Sequence, residues 1–356
     1  MKTSKWVPIA YFLAFASAAA AETLYTATPL GSLGGAMTSG FAINAAGQVT
    51  GESATPDGAI HAFVYSDGVM ADLGTLPGSS DSHGYGINAA GQVTGSSGQQ
   101  AFVYSNGVMT NLGAATTNGF GINNSGQITG YGITGIGLSQ AFLYSNGVVT
   151  YIGNPLRIAV TLGQAINDSS EITGVSGSTR FQGDPFLYSN GVLTFISVGV
   201  GGAYGINSAG QITGDMGKGP VGSVTFPPGH AFLYSNGAVT DLGILPGTVE
   251  SVGYGINDLA QVVGRSGLDS RCSPSCFRAF VYSNGMMFDL NSDLANSIGV
   301  TLTDARAIND SGQIVANGAG QAFLLTPVAV PEPSTVVLIS AAGAVLFWKR
   351  KPMRIM

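Results

Sequence analysis

A ten-residue phrase, Ala/Gly-Ile-Asn-x-x-Gly-Gln-Val/Ile-Thr-Gly, recurs seven times along the chain and leaves few folds open to it. The copies lie at 42–51, 86–95, 121–130, 165–174, 205–214, 255–264 and 307–316. Ser170-Glu171 replaces Gly-Gln in the fourth copy and Ala260 replaces Gly in the sixth. The isoleucines at 43, 87, 122, 166, 206, 256 and 308 are 35 to 52 residues apart. A second phrase, x-Ala-Phe-Val/Leu-Tyr-Ser-Asn/Asp-Gly, follows at 61–68, 100–107, 140–147, 184–191, 230–237 and 278–285. Its seventh copy, 321–325, has lost the turn.

Each unit therefore predicts four strands. Ala/Gly-Ile-Asn is the first, and Gln-Val-Thr-Gly is the second, across a turn whose Gly can take positive φ. Ala-Phe-Val-Tyr-Ser is the third. An Asn-Gly hairpin, the strongest short-range hairpin signal, leads into the fourth, as at 108–112. A period of about 40–50 with four short strands belongs to a β-propeller blade. The seventh unit stops after its third strand at Thr326-Pro327, and the segment 24–31 reads like the missing fourth. A ring closed by that exchange has no free sheet edge at its joint. An open β-solenoid or sandwich array is the competing architecture. The 54 glycines and the 9% charged content agree with turn-rich sheet and exclude a helical or disordered chain.

The two ends differ from the body. Lys2 and Lys5 precede an apolar stretch at 6–15 and small residues at 17–21, which predicts a signal peptide over 1–21. An uncleaved anchor is the alternative. At the other end Val330-Pro331-Glu332-Pro333 precedes a 13-residue apolar run, 336–348, and then Lys349, Arg350, Lys351 and Arg354. Such a run spans about 20 Å as a helix, so it needs its flanking polar and basic side chains to match a bilayer core of about 30 Å. The basic cluster orients the body outward. The expected organisation is a signal peptide at 1–21, a propeller at 22–327 and a sorting segment with a single transmembrane helix at 328–356. Between the ends, residues 22–330 hold seven basic and 18 acidic side chains, a net charge of about −11. That argues against nucleic acid as a partner, which needs a basic face.

The tail at 330–356 resembles the PEP-CTERM sorting signal of Gram-negative bacteria. The match rests on Val330-Pro331-Glu332-Pro333, the short apolar helix and the terminal basic cluster. The resemblance implies an exosortase-type membrane protease as a partner, passage through the inner membrane, and release or attachment at the cell surface. It also implies an association with exopolysaccharide or other surface proteins. His61-Ala62-Phe63 and His230-Ala231-Phe232, with Asp-Leu-Gly-x-Leu-Pro-Gly at 72–78 and 241–247, are similar to the HAF family of extracellular repeats. That resemblance covers nearly all of 35–326 and assigns no catalytic or cofactor residues.

Candidate chemistry is sparse. His61 and His230 share a repeat position that elsewhere holds Gln100, Gln140, Asp184, Arg278 or Gln321, which reads as a solvated strand-edge site. His83 falls in a Ser/Gly/Asp segment at 78–84, with nothing at metal-ligand spacing beside it. Cys272 and Cys276 predict a short disulfide in an exported chain, with a metal pair or free thiols as the alternative. The Asn-Asp pairs at 167–168, 257–258 and 309–310 evoke calcium, but Ala45 and Ser208 at the same place favour turn chemistry. The Phe and Tyr of the second phrase lie two apart and share one face, which predicts core packing.

No catalytic residue, cofactor site or metal site is assigned. The sequence predicts a non-enzymatic surface or matrix protein, with a glycan-binding module and a polysaccharide-processing enzyme as successive alternatives. An enzyme would need carboxylates converging from the unequal loops near 131–139, 215–229 or 265–278.

Overall fold

The computed structural model describes residues 23–328, apart from 114–115, 136, 154–159, 180–181, 218–228 and 269–275. The signal peptide and sorting segment predicted at the ends, Val330, Pro331, Glu332 and Pro333 among them, lie outside the described residues, as does Cys272. The described strands number 28 and form seven antiparallel four-stranded sheets. Six of them are sequential and open with β2 (Thr38–Ile43), β6 (Ser82–Ile87), β10 (Asn118–Ile122), β14 (Val160–Ile166), β18 (Gly201–Ile206) and β22 (Glu250–Ile256), each followed by its next three strands, the last of which ends at Asp289. The seventh has the order β1-β28-β27-β26, from Tyr25–Pro29 (β1) and Gln321–Pro327 (β28) to Ile314–Gly318 (β27) and Asp304–Ile308 (β26). The chain is a seven-bladed β-propeller, closed by its own first strand as the segment 24–31 predicted.

Closure is well sealed. Thr26 pairs with Thr326 and Ala27 with Leu325. The other edge of β1 is covered by the segment 293–296. Tyr25 N–H donates to the Asp293 carbonyl at 2.8 Å, and Asn296 Oδ1 accepts from Ala27 N–H at 2.8 Å. An edge strand covered in this way offers no template for another chain. Tyr25 is 2% exposed, and burial, with the nearby Asp293, pushes its hydroxyl pKa up to about 12.

Phe63, Phe102, Phe142, Phe186, Phe232, Phe280 and Phe323, one per blade, are among the largest fully buried side chains. Each packs with the Ile or Val of the second strand, as Phe102 does with Val93, and Phe102 also meets Ile87 of the first strand. The expectation of a core role for this aromatic phrase matches that packing.

The turns follow their residues. Asp67, Asn106, Asn146, Asn190, Asn236 and Asn284 adopt φ of 51–53°, each followed by Gly at 81–84°, the pattern of a type I′ hairpin. In the first turn of the blade, Ala260 takes φ of 57° where Gly stands in other copies. Left-handed backbone is costly for a residue with a Cβ. Ala260→Gly is therefore expected to raise stability by about 0.5–1 kcal/mol, read as a higher denaturant midpoint.

The Gly that ends Gln-Val-Thr-Gly has a different cause. A Cβ at Gly95 would lie 1.8 Å from the His83 carbonyl oxygen. The first two strands press together there beside a bulge that the first strand carries in every blade, between Gly84 and Gly86 in the second, and the seventh copy alone places a Cβ at this position, in Ala316.

Candidate functional site

The innermost strands β2, β6, β10, β14, β18, β22 and β26 contact one another in a closed circle and so line the axis. Because each sheet is antiparallel, the turns between first and second strands and between third and fourth strands share one mouth of the channel. The second-to-third and blade-to-blade connections share the other mouth. The turns at the first mouth keep one length, while the whole spread in repeat length falls on the second.

The first mouth is a ring of asparagines. Asn44, Asn88, Asn123, Asn167, Asn207, Asn257 and Asn309 are 3–6% exposed. Each Nδ2 donates to the backbone carbonyl of the equivalent Asn in the next blade, Asn44 to Asn88 and onward until Asn309 donates to Asn44, at 3.0–3.1 Å. The same Nδ2 donates to the side-chain oxygen of the Gln or Glu four residues on, at 2.7–2.9 Å. The Oδ1 accepts from the backbone N–H of that residue at 2.9–3.0 Å. Turn chemistry, predicted from the sequence, accounts for the Oδ1 half. The blade-to-blade half was not anticipated. Its signal was present, because a turn alone accepts Asp or Ser where all seven copies carry Asn.

At this mouth a funnel of about 270 Å³ is lined in every blade by the Ile, the ring Asn and the residue that follows it, Asp168, Asp258 and Asp310 among them. Their carboxylates accept from the preceding blade: Asp168 from Asn124 N–H at 2.8 Å, Asp258 from Ser208 N–H at 2.9 Å and Asp310 from Asp258 N–H at 2.8 Å. Among the described residues no group of three His, Cys, Asp or Glu side chains is arranged to hold a metal ion.

Toward the second mouth the repeat stops repeating. The bulged residues are Phe41, Tyr85, Phe120, Gln164, Tyr204, Tyr254 and Arg306. A bulge re-aims one side chain out of the pleat, and neighbouring bulge residues touch around the axis. Ring centroids lie 5.7 Å apart for Phe41 and Tyr85, 5.3 Å for Tyr85 and Phe120, and 5.9 Å for Tyr204 and Tyr254. The Arg306 guanidinium sits 4.5 Å from the Tyr254 centroid. At the same level one residue of each second strand also varies: Glu52, Ser96, Tyr131, Val175, Asp215, Arg265 and Asn317. The phrase itself is nearly constant from the Ile to the Gly of the second strand, so this level is where the strands lining the channel become individual.

Its two halves differ. Blades three and four contribute an apolar cluster of Tyr131, Leu162 and Val175 with Phe120 and Val160. Blades five to seven and blades one and two contribute charges. Burial raises the pKa of the Asp215 carboxyl, against the Tyr204 hydroxyl, the Gly202 N–H and the Arg265 charge. Burial likewise raises the Tyr254 hydroxyl, opposed by Arg306 and Arg265. Arg306 donates from Nε to Asp304 Oδ1 at 2.5 Å, and that carboxylate with Tyr254 outweighs burial, so its pKa is raised.

His83 stands on β6 (Ser82–Ile87), not in the loop that its Ser/Gly/Asp surroundings predicted. Its Nδ1 lies 2.5 Å from Glu52 Oε2, and that hydrogen bond raises its pKa. His61 and His230 pair with Asp72 and Asp241 at 2.9 and 2.8 Å, and Arg278 pairs with Asp289 in the same place at 3.0 Å. These are strand-edge pairs eleven residues apart, a spacing that was visible in the sequence. Cys276 is disulfide-bonded. Of the unequal loops, 131–139 is described except at 136, whereas 218–228 and 269–275 lie outside the described residues.

No protein-family model and no curated protein matches the sequence. Solved structures match in fold. The extracellular domain of a one component system from B. thetaiotaomicron is 11% identical, with a TM-score of 0.53 over 85% of this chain and 40% of that one. The Pyrococcus horikoshii acylaminoacyl peptidase is 11% identical, with a TM-score of 0.52 over 88% of this chain and 54% of that one. This chain thus spans about half or less of those two proteins. The β-propeller domain of the Trilobed protease from Pyrococcus furiosus, described as having an open velcro topology, is 9% identical, with a TM-score of 0.50 over 83% of this chain and 97% of that one. At these identities the likeness is one of fold, and the conclusion it supports is that the chain is an all-β, seven-bladed propeller of four-stranded blades.

Proposed function

We propose that this chain is an exported, non-enzymatic propeller that acts at the cell surface or in the extracellular matrix, in adhesion or in organising envelope and exopolysaccharide. Residues 1–21 direct export, and the tail at 328–356 holds the chain in the inner membrane until an exosortase-type protease recognises Val330-Pro331-Glu332-Pro333. The acidic body, about −11 over 22–330, disfavours nucleic acid as a partner. A propeller fold shared with an extracellular domain from B. thetaiotaomicron is compatible with this address.

One observation carries the reading. The body begins and ends at a single point, where Val328 N–H donates to the Leu24 carbonyl at 2.8 Å beside the β1–β28 pair. Cuts after residue 21 and near residue 330 both fall just outside those strands. Maturation at both ends then leaves the closing blade whole.

Mass spectrometry of the surface fraction tests it. The mature protein is expected to begin near Glu22 and to end near Pro333. A mature C-terminus at Met356 would overturn sorting through the tail.

A second reading, a glycan-binding module, is favoured by the run of touching rings from Phe41 through Tyr85 and Phe120 to Tyr131, where the last pair is 5.9 Å apart. A glycan array probed with the purified full chain is expected to show selective binding if this reading holds, and uniformly blank spots would remove it.

A further inference from the structure

Arg265 stacks on two rings and lends its charge to Asp215 and Tyr254, yet among the described residues it is the one residue of the variable level with a buried side-chain nitrogen that has no hydrogen-bond partner. It stands on β23 (Val262–Gly267), next to the bulge residue Tyr254 of β22 (Glu250–Ile256). Its guanidinium carbon lies 4.3 Å from the Phe277 centroid and 5.9 Å from that of Tyr254. Its Nε is buried and has no hydrogen-bond partner. Other charges nearby are engaged. Arg306 is held by Asp304, and Asp215 takes the Gly202 N–H at 3.1 Å and the Tyr204 hydroxyl. A buried N–H without an acceptor is costly, and where a native protein keeps one, a bound water or ion, a reaction or stored strain accounts for it.

The geometry points to a binding site at this level, between blades five, six and seven, for a monoanionic carboxylate that carries several hydroxyls on a ring, the chemistry of a hexuronate. The planar guanidinium offers two parallel N–H donors to a carboxylate once its outer torsions turn that edge to the channel. The half-buried rings of Tyr254 and Tyr204, in contact with Arg306 and with each other, supply an apolar edge beside the guanidinium for the apolar side of a sugar. Asp215 and Asp304 supply acceptors for hydroxyls, and their negative charge disfavours a dianion such as phosphate beside Arg265. Blades one to four have no unpaired cation at this level among the described residues, so the site is confined to one side of the axis.

This deepens the glycan-binding reading and is independent of where the chain is sorted, so the two fail separately. The test is titration of the full-length protein with D-galacturonate, D-galactose, acetate and inorganic phosphate, followed by calorimetry or ligand-observed NMR. Galacturonate is expected to bind. Galactose and acetate are each expected to bind about tenfold or more weakly, the loss that follows from removing either the charged pair or the ring.

Arg265→Gln is expected to abolish the preference for galacturonate over galactose while keeping the wild-type circular dichroism spectrum; no hydrogen bond is lost, and the thermal midpoint falls only by what the two ring contacts and the charge beside Asp215 contribute. Arg265→Lys keeps the charge without the fork and is expected to bind at an intermediate level. No binding of galacturonate at millimolar concentration would overturn the proposal. So would acetate or phosphate binding as tightly as galacturonate, or undiminished binding by a folded Arg265→Gln variant. A glycan array positive for neutral sugars alone would leave the glycan-binding reading standing and remove this one.

Discussion

Asn257→Asp is expected to lower the stability of the propeller by about 3 kcal/mol or more, although it changes one atom. The aspartate keeps the oxygen that accepts from Leu259 and Gln261 N–H, at 3.1 and 2.9 Å, so the turn itself survives. It loses the Nδ2 that donates to Gln261 Oε1 at 2.8 Å and to the Asn309 carbonyl at 3.1 Å. A carboxylate oxygen would then face two acceptors at a site only 3% exposed. An unpaired buried charge costs more than a lost neutral hydrogen bond. The measurement is urea denaturation of the purified protein, with Ser208→Ala, an exposed neighbour in the sequence of the same mouth, as the control. A midpoint within error of wild type would show that the blade-to-blade bonds contribute nothing.

Deleting residues 24–30 is expected to cost more still, about 5 kcal/mol or more, and to abolish a cooperative unfolding transition. Tyr25, Ala27 and Leu30, all 2–3% exposed, leave the core together, and each large buried side chain is worth roughly 1.5–3 kcal/mol. The loss also uncovers β28 as a free edge over Leu325, which is fully buried in the intact protein. Such an edge pairs with other chains, so the truncated protein is expected to elute as aggregate on size exclusion. A synthetic peptide of residues 22–31 is expected to restore the elution volume of the intact protein when added in trans. A truncated protein that unfolds cooperatively at the wild-type midpoint would show that closure by β1 is dispensable.

Much of the architecture was legible because the repeat states it seven times. Asn-Gly fixed the outer hairpins, Ala-Phe-x-Tyr fixed the core face, and the orphan segment at 24–31 matched the strand missing after Thr326. Strand starts were less legible. The first strand of each blade begins several residues before Ala/Gly-Ile-Asn, as in β2 from Thr38, because those residues differ between copies and are held by pairing with the second strand rather than by their own pattern.

The site was legible only in part for the same reason. Gln164 and Arg306 have little in common with the five aromatic residues at the other bulges. They share a position only because a bulge, which no single residue announces, lifts each one toward the axis. Arg265 and Asp215 become neighbours through the circle of blades, across 50 residues of sequence. Only the seven asparagines carried a signal that repetition made visible. Their amide nitrogens had no turn to serve, and that excess chemistry is what binds the blades.

The asparagine ring has a consequence for the field at that mouth. Every donation runs the same way around the axis, from each blade to its successor, and the last returns to the first. Seven bond dipoles arranged head to tail in a circle cancel in the plane of the ring, so the mouth has no positive or negative end of the kind that a helix terminus presents. The potential over the funnel is then left to Asp168, Asp258 and Asp310, which stand on blades four, six and seven. A nearly symmetric ring of neutral groups thus frames a lopsided negative charge, and an approaching cation would meet one side of the axis before the other.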